Sequence, residues 1–186
     1  MIQTLRYFRD DDHGIRDTLE AVTKAQPGEG WEDWMLWQEA HPEIEGFDAF
    51  KADLFSLIDV NLRLFLRRGV KHEIRLEEIV WGGVRKDGIP VLNDPKHLSS
   101  VDATYITDDE LVFGVEINGD VRAYPLRMLD WHEMFNDVIG SVPVALAYCT
   151  LCGSGILFET LVEGRPDRFV FGSSGFLFRS NKLMYD

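Results

Sequence analysis

Apolar residues recur at helical spacing, every three or four positions, through most of the first 80 residues, and at strand spacing beyond them. Ile15 to Val22 carries the first helical pattern, and Gln26-Pro27-Gly28-Glu29-Gly30 interrupts it as a short linker. Trp31, Trp34 and Trp37 then share one face of a second helix. His41-Pro42 ends it, because a residue before proline is pushed out of the helical region. The tryptophan stripe reads as a face docked on the rest of the protein in preference to an aromatic binding platform. Phe47, Phe50, Leu54, Leu57, Ile58, Leu62 and Phe65 continue the helical spacing, broken only around Asp59. Two or three amphipathic helices are therefore expected over residues 1–80.

After Trp81-Gly82-Gly83 the period changes. Residues 110–117 and 120–124 flank Asn118-Gly119, the strongest short signal for a two-residue β-hairpin turn. Pro125 through Asp137 predicts one helix, with proline in its first turn where a missing N–H costs nothing. Val142 to Tyr148 is a nearly continuous apolar run that predicts a buried strand, and Ile156 to Leu161 predicts another. A further hairpin is expected across Glu163-Gly164-Arg165-Pro166, pairing residues 156–162 with 168–172 and leading through Gly172-Ser173-Ser174-Gly175 into Phe176-Leu177-Phe178. The expected fold class is α+β: a helical N-terminal region, 1–80, then a mostly antiparallel β domain with one embedded helix, 81–186.

Composition narrows the partners more than the fold. At 186 residues the chain is long enough for one sizeable core, or one core plus a small helical appendage. The formal net charge of −13 repels phosphate backbones and anionic lipid heads, which argues against nucleic acid and membrane surfaces as partners. No apolar run approaches the roughly 20 residues of a spanning helix. The N-terminus turns acidic at Asp10-Asp11-Asp12 where a signal peptide turns apolar, so a cytoplasmic protein is expected from the chain as written.

Two cysteines, Cys149 and Cys152, stand together in Tyr148-Cys149-Thr150-Leu151-Cys152-Gly153 and are the only ones in the chain. In the cytoplasm such a pair points to catalysis, redox sensing or metal binding before a permanent bridge. Spacing by two residues can bring both sulfurs within disulfide reach or aim both at one metal ion. No helix follows the pair, so the thioredoxin arrangement, in which a helix N-terminus lowers a thiol pKa, is not expected. A knuckle of the rubredoxin or zinc-ribbon kind fits the strand-turn-strand setting, but it needs a second knuckle and there is no third cysteine. His132 is expected on the helix that feeds the cysteine strand. It is read either as a general acid or third metal ligand for the pair, or as a helix histidine bonded to a backbone carbonyl. Arg122 and Arg127 are the other cations that can favour a thiolate. Asn136 and Asp137 read as polar helix-end residues, and His13, His41, His72 and His97 as surface residues. The metal alternative joins Cys149, Cys152 and His132 with one more ligand, from Asp186, His97 or beyond the chain, in a site suited to zinc or copper. A non-catalytic binding or scaffold module is the third reading, with Gly172-Ser173-Ser174-Gly175 as an anion loop or simply a turn.

Taken together, Asp87-Gly88-Ile89-Pro90, Asn118-Gly119-Asp120-Val121-Arg122-Ala123-Tyr124-Pro125-Leu126, Trp131-His132-Glu133, Asn136-Asp137, the Cys-Thr-Leu-Cys-Gly segment and Leu183-Met184-Tyr185-Asp186 resemble the bacterial and archaeal family known as domain of unknown function 3179. The likeness runs from Asp87 to the C-terminus. Some members look like selenoproteins with selenocysteine in the Cys-x-x-Cys motif, which implies that Cys149 or Cys152 is redox-active. Selenium gives a more acidic and more nucleophilic attacking group, useful for electron-pair chemistry and of little use for packing. The expected activity is therefore thiol redox chemistry at Cys149 and Cys152 assisted by His132, on a small-molecule or protein thiol or disulfide, with no cofactor required. Many members look exported, which sets the resemblance against the cytoplasmic expectation. The family domain also usually continues past Met-Tyr-Asp, so a fragment or shortened member is expected.

Overall fold

Residues 1–8, 14–44 and 48–186 are described by the computed structural model. Four helices come first: α1 (Ile2–Tyr7), α2 (Ile15–Thr23), α3 (Trp31–Glu39) and α4 (Asp48–Ser56). Asp59 caps a single 3-10 turn by accepting from Asn61 N, and the chain then enters the short α5 (Arg63–Leu66). Phe47 and His13 lie outside the described residues. The tryptophan stripe is packing: Trp34 is fully buried, Trp31 carries the Arg6 guanidinium 4.2 Å from its ring, and Trp37 stacks on His41 at 4.3 Å.

The α+β class holds, in three sheets. Strand β1 (Ile79–Trp81) pairs with β8 (Gly172–Phe178), which pairs with β9 (Asn181–Tyr185). A second sheet runs in the order β2 (Leu92–Asn93), β5 (Met134–Ile139), β6 (Val142–Cys149), β7 (Ser154–Glu159), with β2 parallel to β5 and the other pairs antiparallel. The hairpin of β3 (Val112–Ile117) and β4 (Asp120–Pro125) stands as its own pair, and α6 (Leu126–His132) follows it. Among the described residues no helix is long and apolar enough to cross a membrane.

The helices share a core with the first sheet. Ala52, Phe55, Leu62 and Leu66 close on Ile79 and Phe176, with the Phe55 and Phe176 rings 5.3 Å apart. Buried Lys51 pins α4 there by donating to the carbonyls of Leu76, Glu77 and Ile79. The second core lies between one face of the larger sheet, the β3–β4 hairpin and α6, where Tyr124 stacks on Phe135 at 3.9 Å.

Two expected elements differ. The helix from Pro125 stops at His132, because Glu133 turns left-handed (φ 53°) and Met134–Ile139 becomes β5, buried at five of its six positions. Asn136 and Asp137 are thus buried strand residues, not helix-end residues. The expected hairpin of 156–162 with 168–172 is also absent. Strand β7 pairs with β6, and a single bond, Phe169 N to Thr160 O at 2.8 Å, links the two segments. Gly172-Ser173-Ser174-Gly175 lies inside β8 with both serines buried, and Ser174 Oγ donates to Leu183 O at 2.6 Å. The anion-loop reading therefore has no loop to stand on.

The turn between β5 and β6 docks on the turn of the β3–β4 hairpin. Asn118 Nδ2 donates to Gly140 O at 2.9 Å, and Gly140 N donates to Asp120 Oδ2 at 3.0 Å. Gly140 has φ 54°, and a Cβ there would stand 2.1 Å from Ile117 O, a backbone atom with nowhere to go. Gly119, at φ 80°, has nothing within 4 Å of such a Cβ. Gly140→Ala is expected to lower the unfolding free energy by about 3 kcal/mol in urea titrations and Gly119→Ala by only about 1 kcal/mol. Asp120 accepts a two-pronged bond from Arg122, at 2.7 and 2.9 Å; that bond and Gly140 N hold its carboxyl well below the usual range. A depressed carboxylate stabilises the fold above its unfolded pKa and loses that contribution as pH falls. Asp120→Asn is therefore expected to be less stable than the parent at neutral pH, the gap closing in melts taken below about pH 4.

Candidate functional site

Strand β6 ends at Cys149, and β7 begins at Ser154, its register partner. Between them Cys152 N donates to Cys149 O at 3.2 Å, and Gly153 takes φ 60° to turn the chain back. A four-residue turn closed this way holds its end Cα atoms within about 7 Å, at the edge of the range a disulfide spans. Both cysteines are free thiols, Cys149 half-buried and Cys152 exposed. The neighbouring Cys149 thiol, with burial second, pushes the Cys152 thiol up.

The charged groups beside this turn come from two directions. Lys182, the second residue of β9, has a side chain only 8% exposed, and its Nζ lies 3.0 Å from a Glu133 carboxylate oxygen. Burial lowers the Lys182 pKa, while Glu133 and Cys149 act electrostatically in the opposite sense. The other carboxylate oxygen of Glu133 accepts from Thr150 Oγ1 at 3.3 Å, and its backbone oxygen accepts from Tyr148 N at 2.8 Å. The left-handed residue that ends α6 thus braces the cysteine turn through both side chain and backbone.

Sequence reasoning named His132 for the role beside the sulfurs. Its Nδ1 is hydrogen-bonded to Pro90 O at 2.8 Å, and it borders a surface pocket with Ile89, Pro90 and Trp131. That is the helix-histidine-to-carbonyl alternative; the charged groups at the cysteine turn are Glu133, bonded to Thr150 of the turn, and Lys182. Arg122 is committed to Asp120, and Arg127 to Glu110 at 2.5 Å. Among the described residues no three His, Cys, Asp or Glu side chains converge as metal ligands, so the zinc or copper alternative lacks a third donor among them. Lys182 was missed because it reaches the turn from another sheet; its only signal is a lysine set among Leu183, Met184 and Tyr185.

A second polar cluster lies across the larger sheet. Asp137 Oδ2 accepts from Tyr124 Oη at 2.7 Å and from His97 Nε2 at 2.8 Å, and its Oδ1 accepts from Val138 N at 2.7 Å. His97 is exposed, as expected of a surface histidine, yet its ring leans edge-on against Tyr124. Register puts Asp137 opposite Val144 and Phe135 opposite Leu146, all on the core face, whereas Asn136, Ala145, Ala147 and Cys149 alternate onto the other.

No curated protein and no solved structure matches the chain. A family model described as "Protein of unknown function (DUF3179)" matches residues 86–186, a span holding β2 to β9, the cysteine turn and the Asp137 cluster. With more than half its length covered, the chain belongs to the DUF3179 family.

Proposed function

We propose that the protein is a thiol–disulfide redox protein in which Cys149 attacks and Cys152 resolves. The observation that carries this reading is the closed Cys149-to-Cys152 turn, which holds two free thiols beside the Lys182 and Glu133 ion pair. An ammonium near Cys149 favours its thiolate over its thiol, the condition for nucleophilic attack. The Cys149 thiolate attacks one sulfur of a substrate disulfide, forming a mixed disulfide and releasing the first substrate thiolate, which takes up a proton. Cys152 then gives up its proton, attacks Cys149 in the mixed disulfide and releases the second substrate thiol. Two protein thiols are oxidised to one disulfide, and one substrate disulfide is reduced to two thiols. Lys182 and Glu133 are the groups placed to buffer the protons that move. The substrate class is a small-molecule or protein disulfide, approached from the side where Leu151 and Cys152 stand in solvent.

Thiol titration after mild oxidation is expected to lose two thiols and regain both with a dithiol reductant; retention of both thiols under oxidant overturns the reading. With a chromogenic aryl disulfide, Cys152→Ser is expected to accumulate a stable mixed adduct that mass spectrometry assigns to Cys149, whereas Cys149→Ser is expected to form little adduct. In the Cys152→Ser background, Lys182→Met is expected to slow alkylation of Cys149 by iodoacetamide at neutral pH by about three- to tenfold, the effect of half to one pKa unit. An unchanged rate removes Lys182 from the mechanism.

A further inference from the structure

Opposite the cysteine face, the segment 95–108 arches over β4 and α6 and encloses an open-mouthed cavity of about 750 Å³. That volume lies in the range of small-molecule sites. Its walls are mixed: Ile106, Met128 and Leu129 make an apolar stretch, Ser100, Thr107 and Asp108 bring polar groups, and His97 and Tyr124 stand in the lining as well. The arch is fastened: Arg127 donates to Tyr105 O at 3.1 Å, lies 5.4 Å from the Tyr105 ring centre and pairs with Glu110.

Around His97 and Tyr124 the lining is a built arrangement. The Asp137 side chain is 8% exposed and accepts from three donors, the backbone amide of Val138 and the side chains of Tyr124 and His97. Because the aspartate oxygen is the acceptor, His97 Nε2 is the nitrogen that carries hydrogen in that bond. In neutral imidazole Nδ1 is then the basic, accepting nitrogen. Tyr124 has spent its one hydroxyl hydrogen on the same oxygen, so it offers no donor to a ligand. Arg122 is drawn to Asp120, with its guanidinium 4.0 Å from Asp137. With Arg122 paired to Asp120, Lys96 and Asp108 leave charge of both signs in the lining and no surplus of positive charge with which to select an anion. What it offers is an apolar stretch beside an imidazole whose Nε2 is held by Asp137.

We infer that this cavity is a second functional site, which binds an apolar, ring-sized organic molecule carrying a hydroxyl group, with the hydroxyl donating to His97 Nδ1 and the ring body lying between Ile106, Met128 and Leu129. Asp137 and Tyr124 are positioning residues that fix which nitrogen of His97 faces the ligand. The site stands on the far side of the sheet from Cys149 and does not depend on the redox reading.

The test compares naphthol, a bicyclic hydrocarbon with one O–H, with its methyl ether, which fills the same space without a donor. Calorimetric titration of the full chain is expected to give naphthol an affinity about fivefold higher than the ether, the advantage of one hydrogen bond. His97→Ala is expected to bring the two ligands to equal affinity. Nitrogen NMR of the unaltered protein supplies a reading that needs no variant: naphthol is expected to shift the His97 Nδ1 resonance, and the ether to leave it in place. A Cys149→Ser, Cys152→Ser double variant is expected to bind naphthol as the parent does. Failure of naphthol to bind, equal affinity for the two ligands in the parent, an advantage that survives His97→Ala, or an unmoved Nδ1 resonance overturns the inference.

Discussion

The period-two alternation of β5 is the constraint on which the rest of the β-rich part depends. Strand β5 lies between β2 and β6 and is covered on both faces except at Val138, so its other side chains must find partners on one side or the other. Phe135, Asp137 and Ile139 point into the core beneath the β3–β4 hairpin. Asn136 points the opposite way, where its Nδ2 donates to Asn93 Oδ1 at 2.7 Å and to Phe171 O at 2.9 Å while its Oδ1 accepts from Phe171 N at 2.9 Å. Two adjacent polar residues thus satisfy their hydrogen bonds on opposite faces. A slip of one residue would leave a carboxylate and an amide buried without partners, which costs far more than the apolar contacts it exchanges.

Much of this architecture is legible along the chain, and the exceptions have physical causes. The β3–β4 hairpin is announced by Asn118-Gly119, whose left-handed angles of 50° and 80° suit this pair of residues. The strands around the cysteines are announced by uninterrupted apolar runs. Strand β5 is not, because Asn136 and Asp137 blur the alternation and the left-handed residue that ends α6 is Glu133, not a glycine. Strand β8 is concealed for a different reason. Gly172-Ser173-Ser174-Gly175 has turn composition, yet Gly172 is required by packing, since a Cβ there would stand 2.6 Å from the Tyr185 ring, and Gly175 carries a bulge at φ 81°.

The two polar centres follow the same logic. The Cys149 and Cys152 turn could be placed from its neighbours in sequence, since a turn is local. Lys182 and the His97–Asp137 contact could not, because the lysine arrives from another sheet and the histidine and aspartate are 40 residues apart. The overall charge of −13 is equally uninformative about either centre, since each is governed by ion pairs within a few ångströms.

The shortness of the cysteine turn has a thermodynamic consequence. A covalent link across so few residues removes little freedom from the unfolded chain, on the order of 2 kcal/mol by loop-closure entropy. The rest of the architecture, held by two apolar cores and the β5 ladder, therefore has little stake in whether the sulfurs are joined. Joining or parting the sulfurs at the tip of this hairpin would move the melting temperature by only several degrees, so the scaffold persists whichever state they are in.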